Sequence, residues 1–218
     1  MALRHILCFG DSLTWGWKPV PAGTPSTRYD YAQRWTGVMA RALGEGYRVI
    51  EEGLSARTTS IDDPNDPRLD GSAYLPAALA SHMPLDLVVI MLGTNDTKAV
   101  YRRTPHEIAR GMARLVTQVA KSAGGVGTAY PAPALLIVAP PALKPIPGAW
   151  LAAEFEGAHP KSEKLAQSYR ALAEATGAHF LDAGAHITTE GSDGVHFTPE
   201  NNHVLGEALA RKIGEIFA

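Results

Sequence analysis

The chain has 218 residues, 45% of them hydrophobic and 19% charged, with a formal net charge of -2; that is enough to bury one full core, so residues 1–218 are read as a single domain. The near-neutral balance offers no electrostatic grip on nucleic acid or an anionic membrane, which leaves small, roughly neutral molecules as the expected partners. The one cysteine, Cys8, excludes an intrachain disulfide, the N-terminal apolar run is too short for a signal-peptide core, and no run approaches the ~18 residues of a membrane span, so a reducing, cytoplasmic setting is expected.

Ile6 to Phe9 reads as a short buried strand that breaks abruptly into Gly10-Asp11-Ser12. Such a strand leaves the next residues at the carboxyl edge of a sheet, where open α/β folds place their ligands. Ser12 is therefore the first candidate for chemistry, against the plainer reading of a turn former or helix N-cap. Cys8, inside the apolar run, reads as core. Residues 17–30, rich in Pro and Gly, read as a loop. Trp35, Val38, Met39, Ala42 and Leu43 then recur at helical spacing between Asp30 and Gly44, the candidate caps. Tyr47 to Ile50 reads as the second strand, emptying into Glu51-Glu52-Gly53-Leu54-Ser55-Ala56-Arg57-Thr58-Thr59. From Ser60 to Pro84 a long, turn-rich excursion follows, with a helical piece around Ala73 to Ser81. Its acids, Asp62, Asp63, Asp66 and Asp70, lack the ligand alternation of a calcium loop and are read as turn caps.

Leu85 to Leu92 is almost continuously apolar, as a central parallel strand buried on both faces should be, and ends in Gly93-Thr94-Asn95-Asp96. Thr104-Pro105-His106-Glu107 is a capping box, and Ile108, Met112, Leu115, Val116 and Val119 form the buried stripe of the helix it opens. Gly124-Gly125-Val126-Gly127-Thr128 lacks the Lys-Ser/Thr ending of a phosphate loop and reads as a linker. Ala134 to Ala139 forms a fourth strand, followed by a second long loop through Trp150, Phe155 and His159. A helix over Lys161 to Thr176 ends at Gly177, and His179 to Leu181 makes a fifth strand. After the irregular stretch from Asp182 to Thr198, a terminal helix places Val204, Leu205, Leu209, Ile213 and Ile216 on its inner face. This alternation predicts an α/β sandwich, with a central parallel sheet of about five strands between helices.

In such a sheet all strand carboxyl ends share one edge, so Ser12, the Ser55-Ala56 turn, Gly93 to Asp96 and Asp193 to His196 converge on one crevice. Acyl transfer needs a hydroxyl nucleophile, a base, a carboxylate to orient the base, and donors for the oxyanion. Ser12, His196 and Asp193 fill the first three roles, since Gly194 permits the tight turn that sets Asp193 beside His196. The backbone N–H groups of Ser12 and Ala56 and the side-chain amide of Asn95 could supply the donors. His5, His82, His106, His159, His179, His186 and His203 have no partner at metal-ligand spacing, so neither metal nor cofactor is expected. Asp11 and Asp96, without a neighbouring His, are read as residues that support the site's side chains or fix turns, and not as the triad acid.

Gly10-Asp11-Ser12-Leu13, Gly93-Thr94-Asn95-Asp96 and Asp193-Gly194-Val195-His196 resemble, in order and separation, the conserved blocks of the SGNH, or GDSL, hydrolase superfamily. The phrases Gly10 to Trp17, Glu51 to Thr59 and Asn95-Asp96-Thr97-Lys98 resemble its bacterial arylesterase/acyltransferase branch. The resemblance implies a flavodoxin-like three-layer sandwich and a metal-free esterase working through an acyl-serine. It further implies transfer of acyl groups to alcohols, perhydrolysis with peroxide as acceptor, and a homo-oligomer. One departure is Ala56, where the superfamily usually has Gly; an Ala N–H donates equally well unless the turn requires positive φ. Trp15 and Trp17 beside the nucleophile, with Leu13, Trp150 and Phe155 as candidate pocket walls, could make a cleft that favours an organic acceptor over water, against the plainer reading that some of these aromatics are core or subunit contacts. A carbohydrate acetylesterase, a thioester or lipid hydrolase, and a flavodoxin-like binding module are the alternatives.

Overall fold

The computed structural model describes residues 3–20 and 26–218, so part of the Pro-rich stretch, residues 21–25, lies outside the described residues. Five strands, β1 (Arg4–Gly10), β2 (Tyr47–Gly53), β3 (Leu87–Met91), β4 (Ala134–Ala139) and β5 (His179–Asp182), form one all-parallel sheet in the order β2-β1-β3-β4-β5. Among the described residues eight α-helices connect and cover it: α1 (Ser12–Trp15), α2 (Trp35–Leu43), α3 (Gly71–His82), α4 (Pro105–Ala120), α5 (Ala149–Glu154), α6 (His159–Ser162), α7 (Leu165–Thr176) and α8 (Pro199–Ile216).

Side chains alternate across each strand, so the sheet builds two cores. Leu7, Phe9, Val88, Ile90 and Ile137 face α3, α4 and α7, where Leu75, Ile108, Met112 and Tyr169 meet them. Ile6, Cys8, Leu87, Val89 and Val138 face α2 and α8, where Trp35, Met39, Leu205 and Leu209 meet them. Trp35 is 1% exposed, a burial that contributes on the order of 2–3 kcal/mol. Its indole Nε1–H donates to the Leu13 carbonyl (3.1 Å), and its backbone N–H to Asn202 Oδ1 on α8 (3.0 Å), so the same residue pins the turn after β1 to the second core.

Strand order places the switch in winding direction between β1 and β3, and the crevice beyond their carboxyl ends is where such sheets receive ligands. Gly10 at the end of β1 lies opposite Gly53 on one side and Met91 on the other. A side chain at Gly53 would stand 2.4 Å from the Trp15 backbone nitrogen, so the bare glycine lets α1 sit directly on the sheet edge.

Local chemistry sets the helix ends. The capping box at Thr104 and Glu107 forms in both directions, and Thr198 with Asn201 makes the same device ahead of α8. In α3, Pro76 has no N–H for the Ser72 carbonyl, and Gln118 of α4 donates to that oxygen instead (2.7 Å). Asp63, Asp66 and Asp70 accept backbone N–H groups two residues on and so fix turns.

Three sequence expectations are corrected. The loop after β4 contains α5 and α6, and the helix expected over 161–176 is divided into α6 and α7. Val204 is 42% exposed and not on the inner face of α8. Leu205, Leu209 and Ile213 face the core at every fourth residue, and Val204, one step earlier, is turned about 100° away. Among the described residues no helix is long and apolar enough to cross a membrane.

Candidate active site

The chain leaves β1 at Gly10 and turns at once into α1, whose N-cap is Asp11: its carboxylate accepts the Leu13 N–H (2.9 Å). The cap fixes the first helical residue, Ser12, at the carboxyl edge of the sheet, 7% exposed. From the far end of the chain, the 191–196 loop brings His196 over it. Gly191 N–H donates to the His196 carbonyl (3.0 Å), Gly194 N–H to the Gly191 carbonyl (3.0 Å), and Lys144 N–H to the Gly194 carbonyl (2.9 Å). Gly194 has φ +75° and lies so close to Pro145 that a side chain there would strike its carbonyl oxygen at 2.5 Å.

His196 Nε2 is 2.9 Å from Ser12 Oγ, and His196 Nδ1 is 2.7 Å from Asp193 Oδ2. The other Asp193 oxygen accepts the backbone N–H groups of Val195 (3.0 Å) and His196 (2.9 Å). A carboxylate only accepts, so Nδ1 carries the proton and Nε2 offers its lone pair to the Ser12 hydroxyl. Burial works to raise the Asp193 pKa, but the hydrogen bond and charge of His196, with the two backbone donors, hold it below the usual carboxylate range. The chain Ser12–His196–Asp193 can thus take a proton from a hydroxyl and stabilise the resulting imidazolium.

Facing Ser12 across the crevice are the ends of β2 and β3. The turn after β2 is closed by Arg57 N–H to the Leu54 carbonyl (3.1 Å), and its third residue, Ala56, has φ 69°. Positive φ at that place is what a type II turn ordinarily gives to glycine. The turn therefore does require it, and the Ala56 methyl is strained there by about 1 kcal/mol. Ala56→Gly is expected to raise Tm by about 2–4 °C in a thermal melt, and a lowered Tm would mean that the methyl makes compensating contacts.

Arg57 is 3% exposed, its guanidinium 4.2 Å over the Phe9 ring, and its Nη1 donates to the carbonyls of Gly10 (3.0 Å) and Glu52. Burial lowers its pKa to about 10. It ties β1, β2 and the Ala56 turn together. Asn95, 6% exposed in the turn after β3, donates from Nδ2 to the Arg57 carbonyl (3.2 Å) and to Asp11 Oδ2 (3.3 Å). Asp96 next to it accepts the Thr59 N–H and hydroxyl and lies 3.9 Å from Arg103.

The buried carboxyls of Asp11 and Asp96 resist ionisation, because leaving water penalises the charged form of each. Burial, with the charge of Asp96 adding, pushes Asp11 up to about 7 despite the Leu13 donor, and burial pushes Asp96 up to about 6 despite Thr59. The native chain then holds protons that the unfolded chain has released, so these groups lower stability as pH rises from about 4 to about 7. Asp96→Asn removes one such titration. In urea unfolding, the stability of wild type relative to Asp96→Asn is expected to fall across that range by up to about 3 kcal/mol. A constant difference would contradict the raised Asp96 pKa.

Of the four expected pocket walls, Trp17 stacks its indole on the His196 ring at 5.3 Å between centroids and 21° between planes. Leu13 is 4% exposed and belongs to the α2/α8 core. Phe155 is buried with Leu143, Ala158 and Val195, and so supports the loop that carries His196 from beneath. Trp150 is 83% exposed and lines a different hollow with Val100 and Tyr101. The sequence offers a supporting role for Asp11 but does not identify Asn95 as its partner, nor the role of Arg57, whose only signal is a lone arginine directly after the Ala56 turn. Glu51 accepts from Arg28 (3.1 Å), Arg34 (2.5 Å) and Thr36, which anchors the base of the loop carrying Trp17 to β2. Cys8 lies in the core with its thiol pKa pushed up by burial, which excludes it as a nucleophile. Among the described residues no group of three or more His, Cys, Asp or Glu is arranged to hold a metal ion.

The model of the GDSL-like lipase/acylhydrolase family matches residues 8–203. A carbohydrate acetylesterase from Sinorhizobium meliloti is 60% identical, with a TM-score of 0.97 over 98% of this chain and 100% of that one. An aryl esterase from M. smegmatis is 60% identical, with a TM-score of 0.96 over 97% and 99%. A second S. meliloti protein, described as a carbohydrate acetylesterase family member, is 36% identical, with a TM-score of 0.88 over 98% and 99%. The comparison with curated proteins returned no match.

Proposed function

Because this chain belongs to the GDSL-like lipase/acylhydrolase family, we propose that it is a serine esterase in which Ser12 attacks a small acyl ester, His196 is the base and Asp193 orients it. The observation that carries this reading is the continuous chain of contacts from Ser12 Oγ through both ring nitrogens of His196 to Asp193, at 2.9 and 2.7 Å. His196 takes the hydroxyl proton as Oγ bonds to the carbonyl carbon, and returns it to the departing alkoxide. Ser12 N–H, Ala56 N–H and the Asn95 amide receive the oxyanion. Water, an alcohol or peroxide then attacks the acyl-serine as His196 takes its proton; the Oγ–carbonyl bond breaks, His196 gives the proton to Ser12 Oγ, and the acid, new ester or peracid leaves.

The indole of Trp17 on His196 and the burial of Ser12 support acyl transfer to an organic acceptor, because an apolar cover holds alcohols well and water poorly. The two 60%-identical neighbours carry aryl esterase and carbohydrate acetylesterase descriptions, so both aryl acetates and acetylated sugars belong in the assay. The exposed Trp150 and Val100 support a homo-oligomer, whose mass in size exclusion with light scattering would exceed the 23.2 kDa of one chain.

Turnover of p-nitrophenyl acetate with and without an added alcohol tests the reading. Release of p-nitrophenol shows the esterase, and formation of the new alkyl acetate shows transfer. Release with acetate as the sole product would reject the acyltransferase half, and no release from folded protein would reject both.

A further inference from the structure

The Asp11 carboxyl is 1% exposed and takes no part in the proton transfers above, yet its two oxygens bind two different parts of the site. Oδ1 accepts the Leu13 N–H at 2.9 Å and so fixes the turn that carries Ser12. Oδ2 accepts Asn95 Nδ2 at 3.3 Å, across 84 residues of chain. We propose that Asp11 is a positioning residue for the oxyanion site: it aims the Asn95 amide and ties that donor to the nucleophile's own turn. This rests on the esterase reading of the site.

A buried amide can be turned either end outward, and its surroundings decide which. Both partners of Asn95 Nδ2, the Asp11 carboxylate and the Arg57 carbonyl, are acceptors. A flipped amide would set its oxygen against two oxygens, so only the donor end fits. Both contacts are long, at 3.2 and 3.3 Å, which leaves the amide free to form a shorter bond to a developing anion. Nδ2 has two hydrogens, so a bond to the oxyanion displaces one present partner. The neutral Arg57 carbonyl yields and the carboxylate, the stronger acceptor, keeps its hold. The buried Arg57 guanidinium, bonded to the carbonyl of Gly10 beside Asp11, offsets the negative charge this places near the oxyanion.

Two variants separate aiming from capping. Asp11→Ser keeps a side-chain oxygen for the Leu13 N–H, since Ser is among the best N-caps, but cannot reach Asn95. Asp11→Asn keeps the reach and turns one oxygen into a donor. With p-nitrophenyl acetate at pH 8.5, where Asp11 is ionised, both are expected to lose kcat by about 10–100-fold with KM within about twofold, the mark of a contact used only in the transition state. In the Asn95→Ala background, adding Asp11→Ser should change kcat by less than about threefold, because the residue acts through the amide already removed. Wild-type kcat in folded Asp11→Ser, or losses that multiply in the double variant, would overturn the proposal. Undiminished kcat in Asn95→Ala alone would overturn the oxyanion assignment beneath it, so the two failures are told apart.

Discussion

Ser12→Ala is expected to give a folded protein that takes no fluorophosphonate label and hydrolyses p-nitrophenyl acetate about 10⁵-fold or more slowly than wild type. The fold should survive because Ser12 is not the N-cap of α1; Asp11 is, and its bond to Leu13 is untouched. What is lost is the oxygen 2.9 Å from His196 Nε2, the atom that the proposed reaction acylates. Removing the nucleophile or the base of a hydrogen-bonded triad costs on the order of 10⁶ in kcat, and removing both costs no more. His196→Ala should therefore match Ser12→Ala, and the double variant should be no worse than either. Losses that multiplied would mean that the two side chains work separately. A label persisting in Ser12→Ala would place the nucleophile elsewhere, but not at the fully buried Cys8.

The parts of the fold legible in the sequence are those with a local signature. β4 has the ends the apolar run predicts, Ala134 and Ala139, because prolines stand on either side. α4 begins where the Thr104 to Glu107 capping box announces it. α1 left no such trace: four residues cannot show a helical period, and the turn is held from outside by the Asp11 cap and the bare Gly53 beneath it. α5 and α6 were hidden among prolines and glycines that read as loop. Val204 was misplaced because apolar identity does not fix which residue of a helix leads its buried stripe.

The site divides in the same way. Asp193 and His196 are three apart on one loop, and Ser12 and Asn95 each follow a strand that the apolar pattern reveals, so their meeting needs only a parallel sheet. The stacking of Trp17 on His196, the burial of Leu13 and Phe155, and the displacement of Trp150 to another surface all depend on loop paths. Polarity and periodicity say nothing of those. The Asp11–Asn95 contact joins residues 84 apart and no spacing rule reaches it. Backbone angle is equally silent: the alanine at 56 names the residue, while φ 69° belongs to the turn.

Asn95→Ala is expected to lower kcat by about 10²–10³, some 3–4 kcal/mol of transition-state stabilisation, while Ser12 still takes the fluorophosphonate label, though slowly. The amide stands at the end of β3 beside the nucleophile's turn, 6% exposed, where a hydrogen bond to a developing anion is little screened by water. An uncharged donor is the right group for this place, because the ester is neutral before attack and gains its charge only as Oγ bonds to carbon. Asn95→Asp replaces the donor with an acceptor and puts a third carboxylate beside Asp11 and Asp96, already raised to about 7 and about 6. That variant should lose at least as much kcat as Asn95→Ala and should also unfold at lower urea concentration, the more so as pH rises and the cluster ionises. Equal stability of the two variants across pH 5–8 would mean that the cluster is better solvated than its burial implies. Full kcat in folded Asn95→Ala would leave the oxyanion to the Ser12 and Ala56 N–H groups alone.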